Sequence, residues 1–415
     1  MKLAKLSLAA VVAAGSFSLA NAAVNLEEAI KDVEVSGMLR YRMDGKRVKD
    51  KTANKVTSDS NVNKYRVDLN SKIKFDDYFT GNFGVRFLAN DGNDNGPALN
   101  GQSVGNAYEL VEDQGKYKLE GESASNVAIR DINLVYHNSD FGTTVKAGRQ
   151  GLYSLYTNGV LADGIVVSNE SVEGLKVSAF YVANMDNDTM SIEDVVNKDG
   201  EEVKVYANPA YGLGVEGSFD VVDFGLWAVQ SKNVATLYGL DLGAGIDMDD
   251  AKLAVKAQVS QTSIDSKLDK DTYKNSTNYN LNVGFDMGVF NAKVGYASAG
   301  NKEGKSTTAI QDSGAFDYVG EILMNFDKTD GQNQFIYASL GTKVDAFSAA
   351  FEYVNGNNKL ETRKDDMKGN EYVARLGYAY SEKLNFSGYY AMAEVKTGDA
   401  KVETNKFRIE AKYKF

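Results

Sequence analysis

Ten arginines are spread along the chain, and only Arg47 and Arg363 fall in stretches that read as loops. Arg40, Arg42, Arg66 and Arg86 sit on the polar faces of three early segments, and Arg375 and Arg408 on those of two late ones. A guanidinium is planar, permanently charged and able to grip a carboxylate with two hydrogen bonds. Such a row can set a fixed field along water, or it can brace a wall through acids such as Asp68 and Glu34; the two uses are compatible. Other chemistry is poorly supported. Gly304-Lys305-Ser306 imitates the end of a phosphate-binding loop, but Ala299 stands where its first glycine belongs and no helix pattern follows. The single histidine, His137, would need Ser139 or Ser168 to converge on it to make a serine triad. The run Asp91-Gly92-Asn93-Asp94-Asn95-Gly96 alternates oxygen ligands like a calcium loop. Its twelfth position is Gln102 instead of a bidentate Glu, so a polar surface loop is the better reading. The residues indicate no enzyme.

The elements that must carry the arginines are strands. Apolar and polar residues alternate with a period of two from residue 33 to the end, and no long stretch shows helical spacing. From Lys64 to Phe75, Tyr65, Val67, Leu69, Ile73 and Phe75 share one face, and Lys64, Arg66, Asp68, Asn70, Lys72 and Lys74 the other. At the end, Phe407, Ile409, Ala411, Tyr413 and Phe415 oppose Lys406, Arg408, Glu410, Lys412 and Lys414. Eighteen such segments can be counted, or sixteen if the weaker ones at 164–169 and 222–230 are dropped. Their length suits a tilted membrane strand, and long polar connections (44–63, 90–126, 185–209, 262–277, 299–334, 355–370) take turns with tight ones. The expected fold is all-β, a transmembrane antiparallel β-barrel whose apolar faces meet lipid.

Composition agrees. Lys2 and Lys5, an apolar run from Leu6 to Leu19 and Ala20-Asn21-Ala22 form the three parts of a secretory signal peptide, so residues 1–22 are expected to be removed and 23–415 to form the barrel. Cysteine is absent and there are only two prolines, Pro97 and Pro209, both in loop-like stretches. The net charge of −11, which becomes −13 without Lys2 and Lys5, argues against nucleic acid as a partner and favours cations over anions as solutes.

Several motifs resemble the Campylobacter-type major outer membrane protein porins. Leu26-Glu27-Glu28-Ala29-Ile30-Lys31-Asp32-Val33-Glu34-Val35-Ser36-Gly37, followed by Leu39-Arg40-Tyr41-Arg42, is similar to that family's mature start. Val145-Lys146-Ala147-Gly148-Arg149-Gln150 is similar to the strand that general porins place before their third loop, and the chain closes on Phe415. The resemblance implies a trimeric, cation-selective, eighteen-stranded porin of the bacterial outer membrane, of a family in which some members carry calcium at the constriction. It also implies that Gly151 to Asp163 folds inward as a constriction loop. Tyr153, Leu155, Tyr156, Val160 and Leu161 suit a packed interior better than a solvated loop, and Asp163 stands at its exit. For the implied calcium the candidate ligands are Asp131, Asp163 and Glu321; the apolar setting of Glu321, between Val319 and Ile322, suggests that its segment also turns inward. The expected function is a water-filled, weakly cation-selective channel for passive diffusion of small hydrophilic solutes and ions, seated in lipid. The alternative is a non-conducting barrel acting as an adhesin or structural protein, with 299–334 as its partner-binding surface.

Overall fold

The computed structural model describes residues 33–94, 109–113, 116–120, 126–186, 195–310, 316–323 and 328–415. Residues 1–22, expected as a signal peptide, lie outside them. Alternating sequence has produced one antiparallel sheet of eighteen strands closed on itself. In chain order these are β1 (Val33–Asp50), β2 (Lys55–Lys74), β3 (Phe79–Asp94), β4 (Asn126–Asn138), β5 (Thr143–Ser154) and β6 (Thr157–Asn169). Next come β7 (Leu175–Met185), β8 (Ala210–Phe219), β9 (Val222–Ser231), β10 (Ala235–Met248), β11 (Ala251–Ile264) and β12 (Ser276–Met287). The last are β13 (Phe290–Thr307), β14 (Lys328–Val344), β15 (Phe347–Lys359), β16 (Met367–Ala379), β17 (Leu384–Thr397) and β18 (Ala400–Lys414). Both weaker segments are strands, so the count is eighteen and not sixteen.

Each strand pairs with its sequence neighbours, and β18 pairs with β1 from Met38↔Lys414 to Asp50↔Val402. That closure leaves no edge, which is the condition for a sheet to sit in hydrocarbon. Leu39, Tyr65, Leu226, Ile336, Leu340, Leu376 and Ile409 lie exposed on the outer face, as a lipid-facing surface requires. The tight connections use Asp220, Asp249 and Asp345 at positive φ, a conformation short polar side chains tolerate in two-residue hairpin turns. Phe415 lies across Gly37, and the two residues exchange backbone hydrogen bonds at 2.9 and 3.1 Å.

Four stretches expected as loops are largely or partly ladder instead. Most of 44–63 continues β1 and β2 to a turn at 51–54, 299–307 and 328–334 belong to β13 and β14, 355–359 and 367–370 belong to β15 and β16, and all of 151–163 but the turn at 155–156 belongs to β5 and β6. Polar alternation is the same whether a ribbon crosses lipid or stands in water, so the pattern alone cannot mark where the membrane ends. The packed core lies inside the barrel, formed where inserted segments meet the inner wall.

Candidate functional site

The β5–β6 pair outruns its neighbours. β4 follows β5 only as far as Ile132↔Arg149, and β7 meets β6 only from Met185↔Ala162. Beyond these points the ladder runs only between β5 and β6, from Gly151↔Leu161 to a turn at Leu155-Tyr156. Gly148, at φ +121°, allows the departure, since a β-carbon there would meet the carbonyl of Ile132. The tip packs on Gly239 of β10, and the Tyr156 carbonyl accepts a 3.0 Å hydrogen bond from the Ile310 amide. Leu152, Leu155, Tyr156 and Val160 join Phe180, Trp227 and Leu237 of the wall and Val205, Leu268 and Ile310 of the connections in one buried apolar cluster. Burying a side chain of this size contributes roughly 1.5–3 kcal/mol, so the hairpin is docked and not merely inserted.

A second wall carries charge. Arg66, Arg86 and Arg130 converge on the buried carboxylate of Asp68 at 2.5, 2.8 and 3.2 Å. Arg42 grips Glu410 at 2.6 Å with Arg40 at 4.0 Å, Arg408 binds Asp44 at 2.6 Å, and Arg375 binds Glu352 at 2.6 Å. Arg375 and Arg408 both lie over the Tyr389 ring of β17, 5.3 and 5.4 Å from its centre. These groups occupy the inner face of an unbroken arc from β15 through β18 and β1 to β4. Among the described residues, the buried Nε atoms of Arg40 and Arg130 have no hydrogen-bond partner.

The segment 316–323 is a further insert. The fully buried carboxylate of Glu371 accepts the amides of Glu321, Ile322 and Leu323 at 2.6, 2.9 and 2.8 Å. Glu352 accepts that of Gly320 at 2.9 Å, and Gly320 has the left-handed φ of +99° that lets the chain turn there. Burial pushes the Glu321 carboxyl up, but the hydrogen bond and charge of Arg375, 2.7 Å away, outweigh it and hold Glu321 below the usual glutamate range.

The family model for the Campylobacter major outer membrane protein matches residues 1–415. The chain belongs to that family. It is an outer-membrane barrel of the porin type, placed in the bacterial outer membrane. In fold it is similar to Pseudomonas aeruginosa OpdQ (15% identity, TM-score 0.66, 94% of this chain and 99% of that one covered). It is likewise similar to Pseudomonas aeruginosa OccK9 (14%, 0.66, 93% and 100%) and Acinetobacter baumannii OccAB4 (12%, 0.65, 92% and 98%). No curated protein matches it in sequence.

In this family member the arginines named from sequence, Arg40, Arg42, Arg66, Arg86, Arg375 and Arg408, all lie on the inner face. Sequence reasoning missed Arg130, hidden by a bulge at Gly84/Val85 that shifts the parity of β4, and Arg149. Asp68 binds three arginines, whereas Glu34 pairs with Lys72 at 3.7 Å on the exposed rim and, among the described residues, braces no arginine. The constriction trio separates: Tyr156 is a buried anchor, Tyr153 is 66% exposed on the opposite face of the hairpin, and Asp163 is held by Arg149 at its base at 3.1 Å. Arg149 also binds Asp186, so it fastens hairpin to wall. The calcium candidates do not form one site. Asp163 is committed to Arg149 and Glu321 to Arg375, Asp131 stands apart on β4, and no group of three such residues among the described ones could hold a metal. The backbone of Asp91 to Asp94 ends strand β3, and the rest of the run to Gln102 lies outside the described residues. His137 shares a hydrogen bond with Thr144, not with a serine, and Lys305 is a strand residue paired with Asp330. The proposed adhesin surface 299–334 is partly interior, since Ile310 and Val319 are buried in the barrel.

Proposed function

We propose that the barrel is a water-filled channel for passive diffusion of small hydrophilic solutes, with a weak preference for cations, working as a homotrimer. The observation that carries this reading is the contrast inside the lumen: inserted segments fill part of the cross-section with apolar packing and leave an arc lined by paired charges along the rest. Paired arginines and carboxylates hold water in an ordered transverse field, which favours polar solutes over apolar ones. Guanidinium charge is largely answered by Asp44, Asp68, Glu352 and Glu410, so the acidic balance of the whole chain tips the sign toward cations. Recordings in planar bilayers test it. Stepwise ohmic conductance, arriving in threes, with a reversal potential of cation sign in a salt gradient is expected; a protein that inserts and never conducts supports the adhesin reading instead.

A further inference from the structure

Beneath the docked hairpin, on the side of the short turns, the inner wall borders a half-open chamber of about 900 Å³. Its roof is the underside of the hairpin, Leu152 and Leu155, with Phe180 and Trp227 beside it. Two lateral rows of the wall form its floor. In the first, Lys176 of β7 stands opposite Glu216, Glu216 opposite Gly225, and Gly225 opposite Asp241. In the second, Asp223 stands opposite Gly243, and Gly243 opposite Lys256.

The two glycines keep the floor recessed. A β-carbon on Gly225 would find Asp241 and Glu216 at 3.8 Å and Trp227 at 4.0 Å, and one on Gly243 would find only Asp223, at 3.8 Å. Trp227 Nε1 donates to Glu216 at 3.4 Å, and Asp241 receives Gln258 at 2.9 Å and Lys256 at 3.4 Å, so these two acids are oriented. With Lys146 the chamber lining carries three cations and three acids, arranged around one apolar roof.

We propose that this chamber binds short zwitterionic peptides with apolar side chains. A volume of about 900 Å³ lies at the upper end of small-ligand sites, which suits a few linked residues better than one amino acid. Asp241 is already bound to Lys256, and Lys176 is 3.8 Å from the exposed Glu170, so the lining rewards a solute that brings an ammonium to Asp223 and Glu216 and a carboxylate to Lys146 and Lys176. A solute with one charge leaves part of the lining unanswered. The roof supplies the apolar contact. This goes beyond diffusion, because the chamber is a resting place beside the charged arc and its occupancy can be read without current.

Trp227 is the only tryptophan in the chain and lines the chamber, so its emission reports occupancy directly. Leucyl-leucine is titrated into the folded barrel in detergent, alongside its N-acetyl form and its C-terminal amide. The zwitterion should give a saturable change in emission, and each capped form should bind about tenfold more weakly. Gly243→Leu, which fills the floor, should abolish saturation; single-channel conductance measured on the same sample shows that the variant is folded. No saturable response, or equal affinity for the three peptides, overturns the assignment of the ligand. A binding curve unmoved by Gly243→Leu overturns its location. A barrel that conducts without this response keeps the channel and loses the chamber, whereas one that binds without conducting does the reverse.

Discussion

Tyr156 rests on the bare α-carbon of Gly239, four strands further round the wall from its own hairpin. The contact sets how far the hairpin reaches across the lumen, since any side chain at 239 would collide with the Tyr156 hydroxyl and the Leu155 methyls. Gly239→Leu is expected to cost about 1–3 kcal/mol through overpacking and to unseat the tip. Lower resistance to heat and flickering single-channel current should follow; steady current at wild-type amplitude would show that the tip is not what holds the hairpin.

Asp68 is the shared counter-charge of Arg66, Arg86 and Arg130. Asp68→Asn leaves three guanidinium groups facing each other, and breaking a buried charged network of this kind costs roughly 3–5 kcal/mol. The folded fraction should fall in urea, and the surviving channels should shift toward anions in reversal potential. A stable variant with unchanged selectivity would mean that water already screens the three arginines.

Single arginine removals are milder, because Asp68 keeps two partners. Arg66→Ala or Arg86→Ala should raise single-channel conductance and strengthen cation preference, while Asp163→Asn should weaken it. Because Asp163 is paired with Arg149 at the base of the hairpin, its effect should be the smaller. Salt-gradient recordings on all three variants decide this, and a channel indifferent to every one of them has its narrowest point elsewhere.

The link between Glu321 and Arg375 depends on acid. The Glu321 carboxyl is held below its ordinary value, so the link contributes fully above the unfolded-state value of about 4.3 and is lost as pH falls through the lower folded value. Glu321→Gln should therefore melt below the wild type at pH 7, and the gap should close as the pH drops below about 4. A gap of constant size down to acid pH would place the effect in packing and not in charge.

Phe415 joins the two ends of the wall through its backbone bonds to Gly37 and its ring across that glycine. Deleting Phe415 is expected to deplete the protein from the outer membrane while export across the inner membrane continues. Fractionation with a heat-modifiability gel would show it, and normal amounts of folded barrel would argue that closure tolerates the loss.

The wall was legible in the sequence because a strand that separates water from lipid must alternate, and Lys64 to Phe75 or Lys406 to Phe415 could do little else. The lumen was legible only in part. Arg40 and Arg66 announce their face by parity, but Arg130 is the extra residue of the bulge that resets it. The roles of Glu371 and Glu352 depend on backbone amides of 320–323 arriving from a distant connection, which no local pattern encodes. Tyr153 and Tyr156 looked alike in sequence, and the tight turn between them sends one to water and the other into the core.

Two docked inserts, Gln150 to Leu161 and 316–323, narrow a wall that is held together by backbone bonds indifferent to side-chain identity. Permeability can thus drift under selection without endangering assembly: a lineage exposed to a harmful solute needs to alter only an anchor such as Gly239 or Glu371. Resistance-linked variation in this barrel should gather at those anchors and inserts, and the rest of the eighteen strands should be inherited nearly unchanged.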